Sequence, residues 1–273
     1  MNKLSSKKQI QVVSALVEGN SIRATVRMTG VAKNTIVKLL ADLGKACAEY
    51  QDKVFRTLPC KHIQCDEIWS FCYAKEKNVP EDKKGMFGYG DIWTFTAICA
   101  DTKLVPSWFI GDRDLESATI FLKDLAGRLA NRIQLTTDGH KMYLDAVESA
   151  FGSNIDFSQL VKIYGQTDEG QKRYSPPSCI GTIKTKINGN PERENVSTSY
   201  VERQNLTMRM NMRRFTRLTN AFSKKAENLA YAVALHFMYY NFCRIHQTLR
   251  VTPAMEAKVT DHIWDISEII SLI

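Results

Sequence analysis

Ile63-Gln64-Cys65-Asp66-Glu67-Ile68-Trp69-Ser70-Phe71 is the run on which the reading of this chain turns. Its β-branched and aromatic residues predict a strand, yet two adjacent carboxylates sit in its middle. An unpaired charge is costly to bury, so acids in such a strand point to a cation or a donor that meets them. Asp66 is the candidate metal ligand. Because side chains alternate across a strand, Asp66 shares a face with His62, Gln64 and Ser70, whereas Glu67 falls with Ile63, Cys65, Trp69 and Phe71. Alternation alone leaves open whether Glu67 also serves the site.

Downstream, strand-like runs follow at Ile92 to Ala100 and Leu104 to Ile110, separated by the turn chemistry of Asp101-Thr102-Lys103. They predict an antiparallel meander with the first run. Pro106 cannot donate to a ladder, which assigns the third run to the sheet edge and frees the first to be central. A helix follows, with Ala118, Phe121, Leu122, Leu125 and Leu129 on one face, leading into Ile133-Gln134-Leu135-Thr136-Thr137-Asp138. Strand, helix, strand predicts a parallel crossover beside the first strand. A helix over Lys141 to Phe151 and a short strand at Leu160 to Tyr164 complete the unit. Gly165 to Asn195, rich in Gly, Pro, Lys and Ser, reads as one long loop. A helix is expected from Ser199 to Met212 and a longer, apolar one from Ser223 to about His246. Thr252-Pro253 has the chemistry of an N-cap and first turn.

Upstream, Lys7 to Tyr50 has helical periodicity broken at Gly19-Asn20 and again at Gly30-Val31, with Ser21 placed to cap the middle helix. Three helices with a glycine turn before the last suggest a helix-turn-helix. At the start of its final helix, Lys33, Asn34, Thr35 and Lys38 are candidates to reach bases or phosphates. The expected division is a helix-turn-helix domain over 1–50, a connector over 51–60 and an α/β domain over 61–273.

The 273 residues are 44% hydrophobic and 24% charged, which excludes a disordered chain and a disulfide scaffold. A net charge of +8 favours an acidic partner, nucleic acid being the commonest. The first residues lack an apolar signal segment, so a cytoplasmic protein with reduced cysteines is expected. Leu229 to Cys243, interrupted by His236 and Asn241, is too short for a membrane span and reads as a buried helix. Basic residues crowd the stretch from Lys184 to Lys225, including Lys186, Arg209, Arg213, Arg214 and Arg217. On a helix from Ser199, Arg209 and Arg213 would share the side of Glu202 and could hold phosphates there. Arg244 and His246 are further candidates for phosphate contact.

Asp66, Asp138 and Glu202 come from three distant segments, and three such acids can share two Mg²⁺ ions roughly 4 Å apart. Ser199-x-x-Glu202 is also a capping-box pattern, which would give Glu202 a purely structural role.

At Asp66-Glu67-Ile68-Trp69, Thr137-Asp138-Gly139, Tyr200-Val201-Glu202-Arg203-Gln204-Asn205 and Tyr240-Asn241-Phe242-Cys243-Arg244-Ile245-His246, the chain resembles the DDE transposases of the bacterial insertion sequence one family. The likeness runs from about Ile63 to the end. It implies an RNase H-like α/β fold, a mixed five-stranded sheet flanked by helices. It implies Asp66, Asp138 and Glu202 as the catalytic, metal-binding triad, with Mg²⁺, or Mn²⁺ in its place. The implied activity is cleavage at the element's ends and joining of the freed 3′-hydroxyl to target DNA. The implied partners are terminal inverted repeats, target DNA and at least one further copy of the chain, at the bacterial nucleoid. Many members carry an N-terminal cysteine zinc finger that this sequence lacks, so recognition of the repeats would rest on the helix-turn-helix. Two other readings compete: a helix-turn-helix regulator that needs no metal, and a nuclease of the same fold that cuts without joining.

Overall fold

The computed structural model describes residues 4–165, 177–216 and 220–273. Three helices open it: α1 (Ser6–Val17), α2 (Ile22–Thr29) and α3 (Lys33–Val54). The Ser21 side chain accepts from the Ala24 N–H, and Gly30 ends α2 with φ of 70°, a left-handed conformation that glycine adopts without strain. Both breaks therefore fall where the sequence put them. The helical stretch expected to end at Tyr50 runs on, since α3 continues through Val54. Its apolar stripe (Ile36, Leu39, Leu40, Leu43, Cys47) joins one continuous core with the sheet and its helices.

The sheet has six strands in the order β3-β2-β1-β4-β5-β6: β1 (His62–Cys72), β2 (Gly90–Cys99), β3 (Ser107–Gly111), β4 (Ile133–Thr137), β5 (Ile155–Tyr164) and β6 (Cys179–Asn188). The first three form the expected antiparallel meander, with β3 at the edge just past Pro106. β4 lies parallel to β1, and β5 parallel to β4. This mixed sheet flanked by helices is consistent with an RNase H-like fold. The five strands expected become six because β6 lies inside the stretch read as a long loop. β6 pairs antiparallel with β5, and almost all its side chains are exposed, so it lacks the half-buried alternation that marks a strand in sequence. β5 is also longer than expected. Its last residues, Leu160 to Tyr164, run beyond β4 and pair only with β6, as a two-stranded ribbon.

Helices α4 (Leu115–Ala126) and α5 (Met142–Phe151) cover one face, packing with Ile63, Cys65 and Leu135. The other face packs Ile68, Cys72, Ile92 and Ile98 against α6 (Ser199–Asn211) and α7 (Ala226–Met238). α7 is the apolar segment expected to be buried; it closes in a π-helical turn at Tyr239–Cys243. Thr252 caps a short helix with Pro253 in its first turn, as expected. Among the described residues no helix is long and apolar enough to cross a membrane.

α3 and α7 cross at Gly44, where an added Cβ would lie 2.4 Å from Tyr231 Cβ and 2.5 Å from its Cα. Backbone cannot yield as a flexible side chain does. Gly44→Ala should therefore destabilise the fold by about 1–3 kcal/mol, read as a lower urea midpoint at unchanged slope. An unshifted midpoint would mean that the two helices do not meet there.

Candidate functional site

Asp66 occupies the middle of β1, and Asp138 follows the last residue of β4. The parallel register sets Cys65 beside Thr137, so the two aspartates come abreast. One carboxylate oxygen each from Asp66, Glu67 and Asp138 lie within 4.8 Å of one another. This is the metal-sized acidic group among the described residues, and it contains Glu67 where the sequence reading had Glu202.

Glu67 points to the α4/α5 side. Its fully buried carboxylate accepts from Arg113 at 2.6 and 2.7 Å and from the Tyr143 hydroxyl at 2.7 Å. Arg113 also stacks over Trp93, 4.5 Å from the ring centroid. A carboxylate so engaged is neutralised before any cation arrives. It acts as a buried anchor for the strand that carries Asp66. Removing one partner of such a pair strands a buried charge, so Arg113→Ala should cost about 3 kcal/mol, measured by chemical denaturation, with Arg113→Lys recovering part of the loss. A cost under about 0.5 kcal/mol, the size of an ordinary surface change, would refute the anchoring role.

Asp66 faces α6. Its Oδ2 accepts from Asn205 Nδ2 at 2.8 Å, and its Oδ1 accepts from the Glu67 N–H at 2.9 Å. Two residues earlier on the same face, Gln64 Oε1 accepts from the backbone N–H groups of Tyr200 and Val201 at 2.8 and 3.2 Å. Those are orphan donors of the first turn of α6, so β1 itself caps the helix that carries Glu202. The capping box read from Ser199 and Glu202 does not form. Thr198 is the N-cap residue, and its hydroxyl donates to Glu202 Oε1 at 2.7 Å, leaving that carboxylate free of the helix backbone. Lys162, on the β5 ribbon, pairs with Glu202 Oε2.

Burial, then the charges of Glu67 and Asp138, and more weakly that of Glu202, push the Asp66 carboxyl up to about 7. The Glu67 N–H opposes the shift. Asn205 Oδ1 is buried with no hydrogen-bond partner beside this acid. An all-oxygen donor set, mutual repulsion and an unsatisfied buried oxygen fit a hard divalent cation. Glu202 stands at the margin of the group, felt at Asp66 but held by Lys162 and Thr198.

The residues assigned to DNA scatter more widely. Lys33, Asn34 and Thr35 are exposed at the start of α3, and Lys38 is paired with Asp42 one turn on. Lys184 and Lys186 lie on β6, where the register puts them on the ribbon face of Lys162. Lys184 donates to the Arg193 carbonyl and Lys186 to Asn190. Arg209 lies on α6, but α6 ends at Asn211, so Arg213 falls in the following 3-10 turn and not on the helix face of Glu202. The chain leaves the helix there because Met212 and Phe215 turn into the core. Arg213 is exposed; Arg214 is turned inward and donates to Ser223 Oγ at 2.6 Å. Arg217 lies outside the described residues. Arg244 is exposed beyond the π-helical turn. Burial, Lys103 and Arg244 together lower the pKa of His246. His140 Nδ1 accepts from the Met142 N–H, and the His140 N–H donates to Asp138 Oδ1, both local ties.

Gln64, Arg113, Tyr143 and Lys162 were not singled out from the sequence. The parity of Gln64 with Asp66 was a usable signal for one of them. The other three act on acids far away in sequence, which no local pattern reveals.

No family model matches the chain, and no curated protein sequence does. Among solved structures, the Mos1 strand transfer complex overlaps 87% of this chain and 76% of its own, at 10% identity and a TM-score of 0.26. At that level the likeness carries no argument.

Proposed function

We propose that this chain is a metal-dependent DNA strand transferase of the transposase kind, cutting at the ends of an insertion element and joining the freed 3′-hydroxyl to target DNA. The observation that carries the reading is the meeting of Asp66 and Asp138 from neighbouring parallel strands, with the Asp66 carboxyl pushed up to about 7 by burial and then by the charges of Glu67 and Asp138. Divalent cations, Mg²⁺ above all and Mn²⁺ as a substitute, supply Lewis acidity at the attacking and leaving oxygens. Asp66, Asp138 and Glu202 hold them. Asn205 orients the Asp66 carboxylate, and Gln64 fixes the first turn of α6 so that Glu202 stays on the Asp66 face. Lys162 steadies Glu202 and, with Lys184 and Lys186, forms a basic ribbon face beside the acids. Lys184, Lys186, Arg209, Arg213, Arg214, Arg244 and His246 take phosphates, and Lys33, Asn34, Thr35 and Lys38 read the terminal repeats as part of a helix-turn-helix over residues 1–50. Residues 61–273 form the catalytic domain. Bringing two element ends together requires at least a dimer.

Purified protein incubated with the element's own ends and a plasmid target tests the proposal. Joining that needs Mg²⁺ and stops with chelator is the expected result. Sequence-specific binding that survives chelation, with neither cutting nor joining under Mg²⁺, would leave a regulator. Cutting without joining would leave a nuclease.

A further inference from the structure

We infer that the cavity at the C-terminal end of β1 binds one unpaired nucleotide of a DNA strand, its base against Trp69, Phe71 and Phe222 and its phosphate at Arg214. The inference rests on the DNA-processing reading above and adds a ligand site to it.

The cavity is built by the way β1 ends. Tyr73 adopts a left-handed backbone conformation with φ of 66°, and its N–H donates to the Ser223 carbonyl at 2.9 Å, while Ser223 bridges to Cys72. That pairing holds Phe222 with its ring centroid 4.6 Å from Phe71, and Phe71 lies 5.8 Å from Trp69. All three rings keep partial exposure, and they border a space of about 680 Å³. Partly exposed aromatic rings in a row offer stacking surface to a base of any identity.

The charges select the ligand further. Arg214 lines the cavity, and among the described residues no carboxylate pairs with it; its recorded partner is the neutral Ser223 hydroxyl. Among the described residues no Asp or Glu lines the space either. Desolvation lowers the Arg214 pKa below its ordinary value, so the guanidinium lies in a poorly hydrated place without a counter-charge. A phosphate oxygen pair meets its planar fork and supplies that charge. Lys75 also lines the space as a second cation, and Lys224 lies 4.0 Å from the Phe222 centroid. A purely apolar ligand would leave Arg214 uncompensated, and a bare anion would leave the rings unused.

Trp69 is three residues beyond Asp66 on the same strand, an odd step that puts its ring on the face of Glu67 and not on that of Asp66. A second cavity, lined by Lys33 and Asn34 at the start of α3, shares Arg214, Asn220 and Phe222 with the first. The nucleotide site therefore adjoins the space at the α3 terminus.

The test uses the full chain, chelator to prevent cutting, and two duplexes, one blunt and one carrying a single unpaired 2-aminopurine nucleotide at its end. The expected result is quenching of the 2-aminopurine on binding and about tenfold tighter binding of the overhang, near the low end for one stacked base. Phe222→Leu should abolish both effects and leave blunt-duplex binding intact, Phe222→Trp should restore them, and Arg214→Gln should weaken the overhang preference without removing the quench. No quench together with equal affinities in the wild type overturns the inference, as does a quench untouched by Phe222→Leu, which would leave Arg214 as a clamp on Ser223. Equal affinities alongside metal-dependent joining would sink the nucleotide site alone; a Phe222-dependent quench without joining would sink strand transfer alone.

Discussion

Asp138→Asn should lower metal-dependent cutting and joining by roughly a thousandfold or more, equivalent to several kcal/mol of lost transition-state stabilisation, while specific binding of DNA ends stays intact. Asn is nearly isosteric, and the local tie that Asp138 Oδ1 makes to the His140 N–H survives with an amide oxygen. What disappears is the charge. The loss should be read in product formation under Mg²⁺ with a filter or gel-shift measurement of binding run in parallel. Equal activity of the variant and wild type would remove Asp138 from the chemistry. Glu202→Gln is the sharper comparison, because Glu202 lies outside the tight acidic group and is held by Lys162 and Thr198. A loss as large as that of Asp138→Asn would place Glu202 among the metal ligands. A loss confined to stability would leave it an ion-pair partner.

The second large effect concerns stability without metal. The Asp66 carboxyl titrates near 7 in the folded protein and near 3.8 when exposed, so the folded state binds its proton more tightly than the unfolded state. Its contribution is therefore fully present below pH 4 and is lost as pH rises towards and through 7. The difference corresponds to roughly 4 kcal/mol at most. In chelator, Asp66→Asn should flatten this decline and make the variant more stable than wild type at pH 8. Mg²⁺ should raise the wild-type melting temperature at pH 8 more than at pH 5, since the cation competes with the proton for the same oxygens. The variant should lose most of that response. A wild-type profile flat from pH 4 to 8 in chelator, or an Mg²⁺ response unchanged by Asp66→Asn, would contradict the electrostatic account of the site.

Sequence and structure agree best where local pattern sets the element. Three of the sheet's strands, the crossover to β4 and the breaks at Gly19 and Gly30 follow from alternation, Pro106 and turn chemistry, which act within a few residues. β6 did not, because an exposed edge strand is stabilised by its ladder with β5 and carries no apolar face. The end of α6 did not either, since Met212 and Phe215 leave the helix for a core assembled from distant strands. Ser199 and Glu202 had capping-box spacing, but the N-cap position fell one residue earlier, at Thr198, and Gln64 from β1 took the orphan donors.

By itself, then, the sequence determined the strand that bears two acids, the parallel partner that ends at Asp138 and the helix that bears Glu202, because each depends on short-range periodicity. Only the tertiary structure decided how the acids divide. It sent Glu67 to Arg113 and Tyr143 on one face, left Asp66 facing Asn205 on the other, and tied Glu202 to Lys162. Burial and charge pairing are properties of residues far apart in the chain, and a carboxylate's role is set by which cation or donor reaches it first.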